Sequence, residues 1–270
     1  MACLVGSCVK RNQLWKLGLI ALVTAAIAQA QIQHLDEGQS RPAIVVGFVG
    51  GFVHRTDARH SEVQLIKKIQ SIYGDGVRAE IFENRQRQQA LRFILASLAG
   101  DGKGANEPRP DATIILFGHS WGASTAVYLA RDLWQLGVPV TLLVQVDSIR
   151  KHGEDDAVIP PNVHQAINFY QDQGVLHGRR LITASDPSRT SILGNFRFHY
   201  ETEPSECRAY PWYNRVLFKG HTAIECDPQV WSQVSELLRV RLSAPQPQDA
   251  LLIHAHGLTV RATARQPNGD

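Results

Sequence analysis

The stretch Asp111-Ala-Thr-Ile-Ile-Leu-Phe-Gly-His-Ser-Trp-Gly-Ala-Ser-Thr-Ala-Val-Tyr-Leu129 decides the fold. Thr113 to Phe117 is a short apolar, β-branched run, the pattern of a strand buried on both faces, and Gly118 is expected to end it. From Trp121 the period changes: Ala123, Ala126, Val127, Ala130 and Leu133 recur at three- and four-residue spacing, as on one face of a helix. The turn between is Gly118-His119-Ser120-Trp121-Gly122, a Gly-x-Ser-x-Gly sequence. A sharp strand-to-helix turn lifts a serine hydroxyl clear of the sheet edge, and side chains at the glycines would collide with the neighbouring strand and helix. The serine then sits at a helix N-terminus, where free N–H groups favour developing negative charge. Ser120 is the candidate nucleophile; the plain alternative is a helix-capping serine in a glycine-lined turn.

Outward from that stretch, strand and helix patterns alternate. Ala43 to Val49 is a strand ending at Gly50-Gly51-Phe52; Ser61 to Tyr73 is a helix with Val63, Ile66, Ile69 and Ile72 on one face. Val77 to Phe82 is a strand, Gln86 to Leu98 a helix, and Asp101 to Pro110 a loop containing Gly and Pro. Val138 to Val146 is the next strand, and Asp147 follows it directly. The alternation predicts the α/β class, a mostly parallel central sheet with helices on both faces. Sites in such sheets lie at the carboxyl ends of the strands, where Ser120, Gly50-Gly51 and Asp147 all fall. The glycine pair frees backbone N–H groups to face a cavity, so Phe52 or Gly51, together with Trp121, are the expected oxyanion donors.

A serine nucleophile needs a base, and the base an orienting carboxylate. Of eleven histidines, His119 adjoins the nucleophile but is expected to point elsewhere, and His254 and His256 lie in a Pro- and Gln-rich tail. His221 is better placed, in a loop Phe218-Lys219-Gly220-His221-Thr222 just before an amphipathic helix from about Asp227 to Val240. Asp147 is the expected acid and Asp186 the alternative, although Asp186-Pro187-Ser188 also reads as an ordinary turn.

The chain resembles the α/β-hydrolase superfamily over roughly residues 42–242, through the elbow Gly118-His119-Ser120-Trp121-Gly122, the Gly50-Gly51 loop and the order Ser, Asp, His. The resemblance implies a Ser120–His221–Asp147 triad. An acid directly after the strand that follows the nucleophile helix is similar to the thioesterase and some lipase branches; the commonest family pattern places it one strand later. The implied activity is a serine hydrolase acting on a small-molecule or lipid ester, with no cofactor and no metal. The competing class is a non-catalytic binding protein on the same scaffold, since fold does not fix function.

The N-terminus carries Lys10, Arg11 and Lys16 without an acid, then a nearly all-apolar run from Leu17 to Ile27, then Ala28-Gln29-Ala30. This succession reads as a secretory signal peptide over 1–30, cleaved after Ala30; the run is short for an uncleaved anchor. The domain is expected over 31–242, and 243–270 as a weakly ordered tail that includes the apolar Leu251 to Ile253. The signal holds three of the 28 Lys and Arg residues and none of the 25 acids, leaving 25 against 25. A neutral mature chain without a clustered basic face gives no reason for a nucleic-acid partner, and no stable membrane span is expected in it. Of four cysteines, Cys207 and Cys226 remain after cleavage, an even pair suited to a disulfide in a secreted or periplasmic protein. Without paired Cys-x-x-Cys spacing, zinc is not expected. Further along, Lys151 to Pro161 reads as a loop or small cap, and Val163 to Tyr170 as a strand with a helix possible. Gly178 to Ser185 and Ile192 to Tyr200 read as a hairpin or two short strands; Tyr210, Trp212, Tyr213 and Phe218 wall an acyl pocket or pack a cap.

Overall fold

The computed structural model describes residues 43–99 and 112–243. The expected signal peptide, the loop Asp101 to Pro110, the tail beyond Ser243 and its histidines lie outside the described residues. In chain order the elements are β1 (Ala43–Val49), α1 (Ser61–Tyr73), β2 (Val77–Glu83), α2 (Arg87–Ala99), β3 (Thr113–His119), α3 (Trp121–Gln135) and β4 (Val140–Val146). They continue with β5 (Val158–Ile159), β6 (Val163–Gln171), β7 (Thr183–Ala184), β8 (Ser191–Phe198), α4 (Trp212–Leu217), α5 (Lys219–Cys226) and α6 (Pro228–Ser243).

Six strands form one sheet in the order β2-β1-β3-β4-β6-β8, and every pairing in it is parallel. The apolar runs of β1 and β3 are continuous because both faces are covered. Ile44, Val46, Phe48, Ile114 and Leu116 face α2 and α3, packing with Ile94, Ala126, Leu129 and Leu133. Val45, Ile115 and Phe117 face α1 and α6, packing with Val63, Ile66, Val230, Trp231 and Val234. Each fully buried Leu, Ile or Phe contributes about 1.5–3 kcal/mol, so the central strands are the least negotiable part of the chain.

Several expectations are corrected. Gly118 does not end β3: it pairs with Gln145 and His119 with Val146, and the chain breaks at Ser120 instead. Ile72, read as part of the buried face of α1, is 61% exposed. Of the two readings of residues 178–200, a hairpin or two short strands, the second is found: β8 pairs in parallel with β6 at the sheet edge, while β7 pairs in parallel with the two-residue β5 in a small second sheet. His221 is not on a loop but in the first turn of α5, and Gly220 does not give the chain room there. A Cβ on Gly220 would collide with the Gln171 amide, 3.0 Å from its Cδ. Among the described residues, no helix is long and apolar enough to cross a membrane.

Candidate active site

At the carboxyl edge of the sheet, β3 delivers Ser120 and β4 delivers Asp147. They are the two non-glycine residues with positive φ among the described residues, at 56° and 45°. Such a conformation costs on the order of 1–3 kcal/mol per residue and persists only where the surroundings over-determine it. Here they do: Ser120 N–H donates to the Val146 carbonyl (3.0 Å), Asp147 N–H to the Phe169 carbonyl (2.7 Å), and Ile149 N–H back to the Ser120 carbonyl (3.3 Å). The two strained turns are thus tied to each other and to the end of β6.

His221, on α5, reaches both. Its Nε2 lies 2.9 Å from Ser120 Oγ and its Nδ1 2.6 Å from Asp147 Oδ2. An ionised carboxylate only accepts, so Nδ1 carries the proton and Nε2 accepts from the serine hydroxyl. All three are buried, Asp147 completely and Ser120 and His221 at 6% and 8% exposure.

Asp147 is held from every side. Oδ1 accepts from Gln171 N–H (3.1 Å) and Gly178 N–H (2.7 Å); Oδ2 accepts from Gln171 Nε2 (2.8 Å) in addition to His221. Gly178 has to be glycine because a Cβ there would collide with Asp147 Oδ1 and lie 2.5 Å from its Cα. Asp186, the alternative acid, stands apart: its carboxylate accepts from Ser188 N–H (3.0 Å) and Ser188 Oγ (2.6 Å), and these bonds hold it below the usual carboxylate range. The turn beyond Asp147 is pinned separately, with Ser148 Oγ donating to Asp156 Oδ2 (2.6 Å) and Arg179 Nε to Asp156 Oδ1 (2.8 Å).

The Gly50-Gly51-Phe52 loop lies against Ser120; a Cβ on Gly50 would sit 2.9 Å from Ser120 Cβ. Gly51 is left-handed at φ 41°, and Asn84 Nδ2 donates to its carbonyl (2.5 Å). In a trans peptide the C=O and N–H point in opposite directions, so gripping the Gly51 carbonyl also sets the direction of Phe52 N–H. Asn84 is itself fixed, its carbonyl accepting from Thr125 Oγ1 (3.0 Å) and Lys151 Nζ (2.9 Å). The Phe52 ring, 90% exposed, meets Trp121 edge-on at 5.6 Å between centroids. Trp121 is the first residue of α3, so its N–H is one of the unpaired helix N-terminal donors.

Sequence reasoning missed the layer behind His221. The His119 ring does not point away from the site but packs 4.5 Å from the His221 ring, tilted by 31°. Beyond it lie His60, Glu62 and Glu225, all buried. Burial holds His119 down at about 4, so its ring is neutral near pH 7. Burial and then the Glu225 charge push Glu62 up to about 8. Burial opposes ionisation of Glu225 too, but the neighbouring imidazoles of His119 and His60 outweigh it and keep its carboxyl low. Burial likewise disfavours the charged His60, yet its hydrogen bond to Glu225 and the charges of Glu225, Glu62 and Asp57 raise it to about 8.

Cys207 and Cys226 form a disulfide with Cα atoms 5.3 Å apart, joining α5 to the turn before α4. Of the four aromatics preceding His221, Tyr210 is buried and meets the His60 ring edge-on at 5.0 Å. Trp212, Tyr213 and Phe218 are exposed.

No protein-family model matches the sequence, and no curated protein matches it by sequence. Solved structures do resemble it in fold. A protein of Xanthomonas campestris pv. campestris named for the alpha/beta hydrolase superfamily is 16% identical, with a TM-score of 0.31 over 73% of this chain and 98% of its own. An acetyl xylan esterase is 11% identical, with a TM-score of 0.34 over 75% and 99%. An uncharacterised protein of Pseudomonas aeruginosa is 10% identical, with a TM-score of 0.34 over 87% and 57%. At these scores the likeness has no bearing on what this chain does, and the functional reading rests on the geometry.

Proposed function

We propose that this chain is an exported serine hydrolase that cleaves a carboxylic ester, or a thioester, through an acyl-enzyme on Ser120. One observation carries the reading: the continuous relay from Ser120 Oγ through His221 (2.9 Å) to Asp147 (2.6 Å), at the carboxyl edge of a parallel sheet. Surface hydrogen bonds among Ser, His and Asp are common; a buried relay whose serine and aspartate both bear backbone strain is not expected of a passive turn.

In this reading Ser120 Oγ attacks the substrate carbonyl while its proton passes to His221 Nε2. Asp147 keeps the other proton on Nδ1 and stabilises the imidazolium as it forms. The oxyanion is met by Trp121 N–H and by the Phe52 or Gly51 N–H. Collapse of the tetrahedral intermediate breaks the bond to the alcohol or thiol, which leaves with the proton from Nε2. Water, deprotonated by the same nitrogen, then releases the acid and restores the Ser120 hydroxyl. The Phe52 and Trp121 rings, in edge-on contact beside Ser120, suit an apolar group on a small-molecule or lipid ester.

The export part rests on the charged, apolar, Ala-x-Ala succession over residues 10–30, with which the Cys207–Cys226 disulfide is consistent. The test is labelling with a fluorophosphonate probe followed by peptide mapping. The expected result is a single adduct on Ser120, absent from Ser120→Ala. A folded wild-type protein that takes no label and turns over no p-nitrophenyl ester leaves the relay without a function and supports the binding-protein class.

A further inference from the structure

Two imidazoles and two carboxylates converge behind the relay, and of the four only His60 and Glu225 hydrogen-bond to each other. His60, Glu62, His119 and Glu225 are 7%, 0%, 2% and 7% exposed. Ligand atoms of His60, Glu62 and Glu225 lie within 4.8 Å of one another. His119 Nδ1 lies 3.7 Å from Glu62 Oε1 and 3.7 Å from Glu225 Oε2, too far for a hydrogen bond to either. Neither His119 nitrogen has a hydrogen-bond partner, and the Glu62 carboxyl meets no side-chain donor, only the backbone N–H groups of Glu62 and Gly50. Two buried carboxylates this close, with both nitrogens of a buried imidazole unpaired beside them, are an arrangement that an ion between them would stabilise.

We propose that His60, Glu62, His119 and Glu225 form a structural site for one divalent transition-metal ion, best suited to zinc. Two neutral imidazoles and two carboxylates supply four ligands and two negative charges, which balance the ion. Nitrogen donors select zinc over magnesium or calcium, which take six or more oxygens. Tetrahedral zinc with bonds of about 2.0–2.1 Å places its ligand atoms roughly 3.4 Å apart, close to the two 3.7 Å separations of His119 Nδ1 from Glu62 and Glu225, while His60, Glu62 and Glu225 already lie within 4.8 Å of one another. The direct contact between His60 Nδ1 and Glu225 opens to admit the ion. Around the cluster, His60 Nε2 faces Asp57 Oδ2 at 3.7 Å, and the backbone carbonyl of Glu225 accepts from Trp231 Nε1 at 2.6 Å.

The four ligands come from the start of α1, the end of β3 and α5, so one ion would clamp three elements distant in sequence. Glu225 lies one turn after His221 on α5, and His119 directly precedes Ser120. The ion would therefore act on the relay only by fixing the elements that carry it, without touching substrate. With every ligand buried, it is taken up during folding and exchanges slowly afterwards.

The test is metal content of the full chain, expressed with zinc and dialysed against metal-free buffer. Mass spectrometry of the elements should find one zinc per chain, and protein grown on cobalt should show the strong visible bands of a four-coordinate ion. Glu62→Gln, which keeps the shape and removes the charge, should lose most of the metal. Ser120→Ala should keep all of it, which separates this site from the hydrolase reading. Should Glu62→Gln fail to fold, unfolding the wild type in guanidinium with a chromogenic zinc indicator supplies the count instead. A metal-free wild type after both zinc-supplemented expression and refolding with zinc overturns the proposal. So does Glu62→Gln with a full equivalent, or Ser120→Ala without one.

Discussion

Asp147→Asn isolates the charge of the proposed acid from its shape. The four donors around this side chain are divided two and two. Oδ1 faces two backbone N–H groups, of Gln171 and Gly178, which cannot turn away; Oδ2 faces the Gln171 side-chain amide and His221 Nδ1. The asparagine oxygen must therefore take the Oδ1 position, which directs its NH2 at His221. Gln171 cannot easily flip to relieve its own clash, because its Oε1 accepts from Gln173 N–H at 2.7 Å. His221 is left to accept at Nδ1 and to carry its proton on Nε2, the nitrogen that has to take the proton of Ser120. The comparable change in a serine protease costs about 10⁴-fold in kcat, and the same tautomer argument predicts that loss here, about 5.5 kcal/mol of barrier. The buried donor–donor conflict should also cost about 1–3 kcal/mol of stability, so the assay is run well below the variant's own melting temperature. Steady-state hydrolysis of a p-nitrophenyl ester supplies kcat, and nitrogen-15 spectra of the imidazole report the tautomer. Asp186→Asn serves as the comparison and should stay within a few-fold, since its partners are in its own turn. Asp147→Asn within tenfold of wild type, or Asp186→Asn as the crippling change, refutes the reasoning.

Gly178→Ala should displace Asp147 through its backbone, losing at least tenfold in turnover and about 1–3 kcal/mol in stability, read from p-nitrophenyl ester kinetics and thermal melts. Cys207 and Cys226 enclose 18 residues, so replacing both with serine should cost on the order of 3 kcal/mol of unfolding free energy in the loop-closure model, and alkylation of unreduced wild type should find neither thiol. Asn84→Ala frees the Gly51 carbonyl and should lower kcat more than it raises KM, because the peptide it releases bears a proposed oxyanion donor; equal proportional effects on an unrelated surface variant would remove that interpretation. Protein secreted by a native-like host should begin near Gln31, and N-terminal sequencing that finds Met1 on membrane-bound protein would defeat the export proposal.

What could be read without coordinates follows the strength of local signals. β1, β3 and β4 are legible because burial on both faces leaves apolar-rich runs, and the carboxyl-edge rule then gathers Ser120, Asp147 and the Gly50-Gly51 loop. β8 was not legible as a parallel strand. It is half-buried at the sheet edge, and its partner β6 is chosen by long-range topology, which periodicity does not encode. Gln171 and Gly178 carry no motif, although Gln171 ends β6 at the same edge as Asp147 and could have been found by listing polar residues at every strand end.

The misreading of His221 is the most instructive, because intrinsic propensity points the wrong way. Gly220, His221 and Thr222 are poor helix formers, and an eight-residue helix is marginal on its own. α5 exists because its surroundings close on it. Gly220 packs on Gln171, Thr222 Oγ1 donates to the Asn214 carbonyl at 3.1 Å, and Cys226 is tied to Cys207. The same applies to the acids. Glu62 in the first turn of α1 looks like an ordinary exposed complement to the helix dipole, yet it is fully buried. A search for zinc through cysteine spacing could not reach it, since ligands drawn from α1, β3 and α5 have no short-range pattern. One eight-residue helix thus holds His221, Glu225 and Cys226, each meeting a partner more than 15 residues away in sequence. Single-sequence reasoning can nominate such residues one at a time by chemical type, but the helix that aligns them is a product of tertiary contacts.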